Sequence, residues 1–106
     1  MRGVDNMSVY VTKDEGKFDL SPALKFGEIE VIATREFPIF SEGGEETRRI
    51  REKLKHFSDN DYLLLVGDPI IIGIATHYAS FYNRGKVKFL KWSPRSKDYQ
   101  VVDSQL

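Results

Sequence analysis

The sequence holds no cysteine and only two histidines in 106 residues. Without cysteine there are no disulfide frameworks, thiolate zinc sites, iron–sulfur clusters or cysteine nucleophiles. His56 and His77 lie far apart in the chain, and neither belongs to an HExxH or similar helical spacing. A metal would have to be held by carboxylates, so the expectation is a chain with no metal and no cofactor. Long apolar runs are also missing. The longest nearly uncharged stretch, Pro69 to Asn83, carries Thr76, His77, Ser80 and Asn83 and falls short of the roughly 20 apolar residues that span a bilayer. The opening MRGVDNMSVY lacks the apolar centre of a signal peptide, which predicts a cytoplasmic protein with no membrane association; Met7 offers a second translation start.

Net charge is absent too, because 16 Lys and Arg cancel 16 Asp and Glu. That balance argues against a strongly basic nucleic-acid binder. The charges are nevertheless segregated: residues 1–46 hold 10 acidic and 5 basic side chains, whereas residues 47–106 hold 6 and 11. The chain is therefore polar along its length, with the option of a positive and a negative side.

What is present is an ordinary globular composition, 41% hydrophobic and 30% charged. It predicts one domain over residues 1–106. Met7 to Thr12 is rich in β-branched and aromatic residues and reads as a strand. Phe18 to Leu20 reads as a short returning strand, halted by Ser21 and Pro22. Ile29, Val31 and Ala33 alternate with polar residues, which predicts a half-buried strand. Ile50, Leu54 and Phe57 recur at i, i+4 and i+7 within a segment that begins acidic and ends basic, so a surface helix is expected over about 44–57. The apolar run Tyr62 to Val66 reads as a central strand covered on both faces. Asp68 and Pro69 then supply an N-cap and a first helical residue. They open a helix so apolar that it is expected to be the core of the protein, ending at Asn83, Arg84 and Gly85. Lys86 to Trp92 and Tyr99 to Val102 form a terminal hairpin. The fold class is thus α/β: a small single-domain layered fold with a mixed sheet of about five strands and two helices, in the order β-β-α-β-α-β-β.

Three constellations could carry chemistry. The first is the strand-to-helix turn Gly67-Asp68-Pro69, where open α/β sheets bind ligands and helix N-termini attract phosphate. A capped structural turn competes with that reading, because there is one glycine, no following lysine, and an aspartate where an anion would sit. The second is Thr76, His77, Tyr78 and Ser80 on one helix, where a hydroxyl and an imidazole one or three residues apart could be a nucleophile with its base, though no acidic orienter lies in the same helix. Its rival is a histidine on the less apolar strip of a packed helix or at a subunit contact. The third combines helix cations Arg48, Arg51 and Lys55 with the hairpin residues Lys86, Lys88, Lys91, Trp92, Arg95 and Tyr99. Interleaved aromatics and cations suit single-stranded nucleic acid, yet lysines on a terminal hairpin also protect an edge strand.

The segments DYLLLVGDPIIIGIA and GKVKFLKWSPRSKDY, with the earlier DLSPALKFGEIEVI, resemble a set of small proteins encoded in tailed-bacteriophage genomes, over residues 17 to 102. In that pattern an aspartate often follows the tryptophan, whereas Ser93 stands here. The resemblance implies a phage accessory protein made in the host cytoplasm and supplies no activity. Taken with the residues, it leads to a leading expectation of a non-enzymatic interaction protein that binds a host or phage macromolecule and forms a homo-oligomer. A phosphate-ligand protein, with hydrolase activity through Asp68 and His77, and a single-stranded nucleic-acid binder stand as alternatives.

Overall fold

A computed structural model describes residues 7–13, 16, 19–33 and 44–106. Its elements run β1 (Ser8–Lys13), a 3-10 helix η1 (Ser21–Phe26), β2 (Glu28–Ala33), α1 (Gly44–Leu54), β3 (Tyr62–Leu64), α2 (Pro69–Tyr82), β4 (Lys86–Ser93) and β5 (Asp98–Gln105). The strands form one sheet in the order β2-β1-β3-β4-β5. The first four are parallel and β5 returns antiparallel to β4. This is the α/β class, mixed five-stranded sheet and helix pair that the sequence predicts. Of the expected strand from Phe18 to Leu20, Phe18 lies outside the described residues, and Asp19 and Leu20 belong to no strand. Pro22, with no ladder donor, instead starts the 3-10 turn.

The sheet is covered unequally. On one face α1 and α2 pack Ile50, Leu54, Ile71, Ala75 and Ala79, with Phe57 just after α1, against Tyr10, Ile32, Leu63 and Val87. On the other, η1 covers Val9, Val11, Leu64 and Leu90 with Ala23, Leu20 and Phe26. The step from β1 to β2 moves one way with its connection on the η1 face. The steps β2 to β3 and β3 to β4 move the opposite way with their helices on the other face. Reversing direction together with face keeps one hand for all three parallel crossovers, as twisted strands require.

Helix α2 is packed as the sequence predicts but is less enclosed than a helix at the centre of the core would be. Its buried residues are Ile71, Ala75 and Ala79, one stripe at i, i+4 and i+8. Ile70 and Phe81 are 55% and 70% exposed, and Gly73 and His77 are exposed between them. The helix has the sheet on one side and α1 beside it, so an all-round apolar sequence leaves an uncovered strip. The two inner clusters also show that β2 is covered on both faces, with Ile32 under the helices and Ile29 under η1.

Two buried polar side chains join β1 to the β3 segment. Asp61, fully buried, accepts Ser8 N–H through Oδ1 at 3.0 Å. Its Oδ2 accepts Ser58 N–H at 2.9 Å and the Ser58 hydroxyl at 3.2 Å. At the other end, the buried Thr12 hydroxyl donates to the Val66 carbonyl and accepts Val66 N–H, both at 2.6 Å. The strand ladder pairs Val11 with Leu64, and Thr12 continues the connection with its side chain. Gly27 sits where β2 begins, at φ 152°, and a Cβ there would lie 2.5 Å from the Met7 carbonyl oxygen. Only glycine permits that approach together with the Glu28 N–H to Met7 carbonyl bond at 2.9 Å.

Candidate interaction surfaces

The Gly67-Asp68-Pro69 turn lies past the carboxyl end of β3, next to the carboxyl end of β1. The chain leaves β1 toward one edge of the sheet and β3 toward the other, so this is the topological switch point where open α/β sheets place ligands. Its donors are largely engaged. Asp68 Oδ1 accepts Ile70 N–H at 2.8 Å, its carbonyl accepts Ile72 N–H at 3.0 Å, and Pro69 has no N–H. Thr12 uses its hydroxyl on Val66. Gly67, at φ 90°, makes the bend that swings the strand into the helix. His77 lies nine positions further along α2, about 13 Å of helix rise from Asp68. It packs edge-on to Tyr78 with ring centroids 5.0 Å apart. The structure does not bring Asp68 and His77 together.

The basic residues fall into separate groups. Arg48, Arg51 and Lys55 are exposed on and just after α1, in the helical layer. Lys55 is paired with Glu52 at 3.1 Å, and that hydrogen bond holds the Glu52 carboxyl below its ordinary range. On β4, Val87 and Phe89 belong to the helix-side core and Leu90 to the η1 side. Alternation therefore puts Lys86, Lys88 and Trp92 on the η1 face and Lys91 on the helix face. The Lys88 ammonium stands 4.4 Å from the Tyr62 ring centroid, and Lys88 faces Asp103 across the ladder. Trp92 meets Tyr99 edge-on at 5.1 Å. Arg95 is exposed in the turn that joins β4 to β5. The α1 cations thus lie across the sheet from Lys86, Lys88 and Trp92, while Lys91 of β4 is on their face.

Other features were not visible in the sequence pattern. Lys25 on η1 pairs with Asp98 at the start of β5; this bond, followed by the Tyr99 N–H, lowers the Asp98 pKa. Burial, followed by the charge of Asp19, raises that of the Tyr99 phenol. Asn83 donates to Asp59 at 3.0 Å, which is the main cause of a lowered Asp59 pKa. The exposed apolar side chains of the hairpin, Trp92, Val101 and Val102, lie at one end of the sheet. A segment continued as alternating strand beyond Val102 would have revealed the length of β5, but Asp103, Ser104 and Gln105 have low strand propensity.

Among the described residues no group of three or more His, Asp or Glu could hold a metal ion, and no helix is long and apolar enough to cross a membrane. Neither the curated proteins nor the solved structures yield a match to this chain. The sequence profile described as "Phage Pam3 gp32-like protein" matches residues 6–106. That match spans β1 through β5 and agrees with the resemblance carried by the GDP turn and the VKFLKW strand, so the chain belongs to the Phage Pam3 gp32-like protein family.

Proposed function

We propose that this phage-type accessory protein is non-enzymatic and acts by presenting surfaces to a host or phage macromolecule and to copies of itself. The observation that carries the reading is the set of large apolar side chains left uncovered on ordered elements: Ile70 and Phe81 on α2, and Trp92, Val101 and Val102 on the hairpin. Exposed apolar side chains gathered on one side of an element, as Ile70 and Phe81 are on one face of α2, are a common mark of an interaction site. The polar groups best placed for chemistry support the same reading, since Thr12, Asp61 and Asp68 all hold backbone groups in place.

The test pairs two variants with two readouts. Phe81→Glu and Val102→Lys are compared with the unchanged protein in sedimentation velocity and in affinity capture from infected cells. Loss of a stoichiometric partner or of self-association in either variant supports the reading. A wild-type protein that stays monomeric and captures nothing stoichiometric overturns it. A second reading, phosphate-ligand binding at Gly67-Asp68-Pro69, is favoured by the switch-point position alone. It predicts a thermal shift with nucleotides or inorganic phosphate that Asp68→Asn changes, and it fails if no such ligand shifts the wild type.

A further inference from the structure

The sheet has two outer strands, and they are finished differently. On β2, Glu28 N–H points to β1, so alternation turns the backbone groups of Ile29 and Val31 outward. That edge is guarded: Glu28 and Glu30 are exposed along it, and Lys53 of α1 reaches the Val31 carbonyl at 3.4 Å. Charged side chains and coverage are the usual means by which an edge is kept from pairing with another chain.

The β5 edge is guarded less: among the described residues its charged side chains are Asp98 and Asp103, which flank the exposed pair Val101 and Val102. It is eight residues long, contains no lysine and no proline, and pairs with β4 in unbroken register from Asp98 to Gln105 with no bulge. Leu106 N–H donates to the Gly85 carbonyl at 3.0 Å, which fixes the alternation of this ladder. Residues 98, 100, 102, 104 and 106 turn their backbone groups toward β4, and Tyr99, Val101, Asp103 and Gln105 turn theirs outward. Tyr99 N–H is held by the Asp98 carboxylate at 2.8 Å, so the edge is capped at its first residue only. Among the described residues β5 has β4 as its single strand neighbour.

We infer that β5 pairs antiparallel with β5 of a second copy of this chain, about a two-fold axis at Val102, so that two five-stranded sheets continue as one. This rests on the interaction reading above and names its partner and its site. Charge decides the occupant and the direction. Pairing β5 with β2 of another copy would set Asp98 and Asp103 along a strand bearing Glu28 and Glu30, and would leave an open chain of subunits. A parallel pair in register would place each aspartate beside its own copy. In the antiparallel arrangement at Val102, Val102 faces Val102, Val101 faces Asp103, Gln100 faces Ser104 and Tyr99 faces Gln105. No carboxylate directly faces a carboxylate, the apolar side chains lie at the centre, Val101 and Asp103 exchange backbone bonds, and Tyr99, whose N–H Asp98 already holds, offers its carbonyl to Gln105. Centring the axis on Val101 instead would leave Gln105 outside the ladder.

The protein contains no cysteine, so single cysteines report the pairing without background. Val102→Cys is expected to form a covalent dimer on mild oxidation, and Val101→Cys, displaced across the axis, much less of one. Val101→Pro removes an outward donor and leaves the ladder to β4 intact. Together with Val102→Lys, which opposes two like charges, it is expected to weaken the dimer seen in a sedimentation concentration series about tenfold or more. Amide exchange at Val101, Asp103 and Gln105 slows with concentration in the wild type. Circular dichroism and melting of each variant establish that it is folded. A wild type monomeric throughout the series overturns this inference while leaving partner capture, and hence the broader reading, standing. A dimer abolished by Phe81→Glu but untouched by Val101→Pro and Val102→Lys also overturns it, with self-association retained through α2.

Discussion

Replacing Thr12 with valine keeps shape and volume and removes only the hydroxyl, so it isolates what that group does between β1 and Val66. The hydroxyl is fully buried and makes two 2.6 Å bonds, one to each backbone group of Val66. In the valine variant both groups lose their partner where water has poor access. Each orphaned backbone group costs about 1–3 kcal/mol, which puts the loss near 3 kcal/mol. Thr12→Ser keeps the hydroxyl and deletes one buried methyl, at about 1 kcal/mol. For a chain of this size 1 kcal/mol moves the melting midpoint by about 4 °C or more, so about 12 °C is expected for valine against about 4 °C for serine. Guanidinium unfolding followed by the fluorescence of the single tryptophan, Trp92, gives the free energies, and calorimetry gives the midpoints. Amide exchange at Val66 provides a local readout, fast in the valine variant and slow in the serine one. If the valine variant is as stable as the serine variant, packing rather than hydrogen bonding is what Thr12 supplies, and the reasoning fails.

Other substitutions test the remaining structural claims. Asp61→Ala removes the acceptor of three bonds at once and is expected to cost about 4 kcal/mol, with Asp61→Asn intermediate because an amide nitrogen must face a donor; chemical denaturation measures both, and a loss under about 1 kcal/mol would contradict the assignment. Gly27→Ala forces a methyl against the Met7 carbonyl oxygen at a positive φ and should destabilise by about 2 kcal/mol or more, whereas Gly73→Ala, with open space around its Cβ, should stabilise α2 slightly. Asp98 should titrate below the ordinary 3.8; because its folded value is the lower one, its contribution is present above the unfolded value and is lost as pH falls through the folded value. Lys25→Met should bring the NMR midpoint of Asp98 back toward 3.8, and an unchanged midpoint would show that the pair does not form in solution.

The elements were legible where the chain punctuates itself. Asp68, Pro69 and Gly85 bracket α2 in the sequence as they do in the fold, and the expected strand Lys86 to Trp92 differs from β4 by one residue. Periodicity read less well wherever two layers compete for one segment. In β2 both faces are covered, by Ile32 on one side and Ile29 on the other, which blurs a simple alternation. In α2 the less apolar strip at His77 marked the exposed side, but nothing in the sequence showed that Ile70 and Phe81 would lie bare along it. The basic residues divide between two faces for a topological reason: β4 alternates, with Lys86 and Lys88 on the η1 face and Lys91 on the face that carries α1. The two buried polar contacts were unreadable because each joins residues more than fifty positions apart, 53 for Ser8 with Asp61 and 54 for Thr12 with Val66. Nothing local in the sequence couples such pairs.

Those same two contacts bear on how the chain finds its alignment while folding. β3 is three residues long, too short for its own ladder to distinguish the correct alignment against β1 from one shifted along it. A shift of two residues would keep the same side chains facing the same core and sacrifice little hydrophobic burial. It would also pull Asp61 away from Ser8 at one end and Thr12 away from Val66 at the other, leaving a buried carboxylate and several backbone groups unanswered in a single move. The penalty falls on the misaligned state as a whole, so the polar pair at the two ends acts as a proofreading device for a strand whose apolar residues would accept more than one answer.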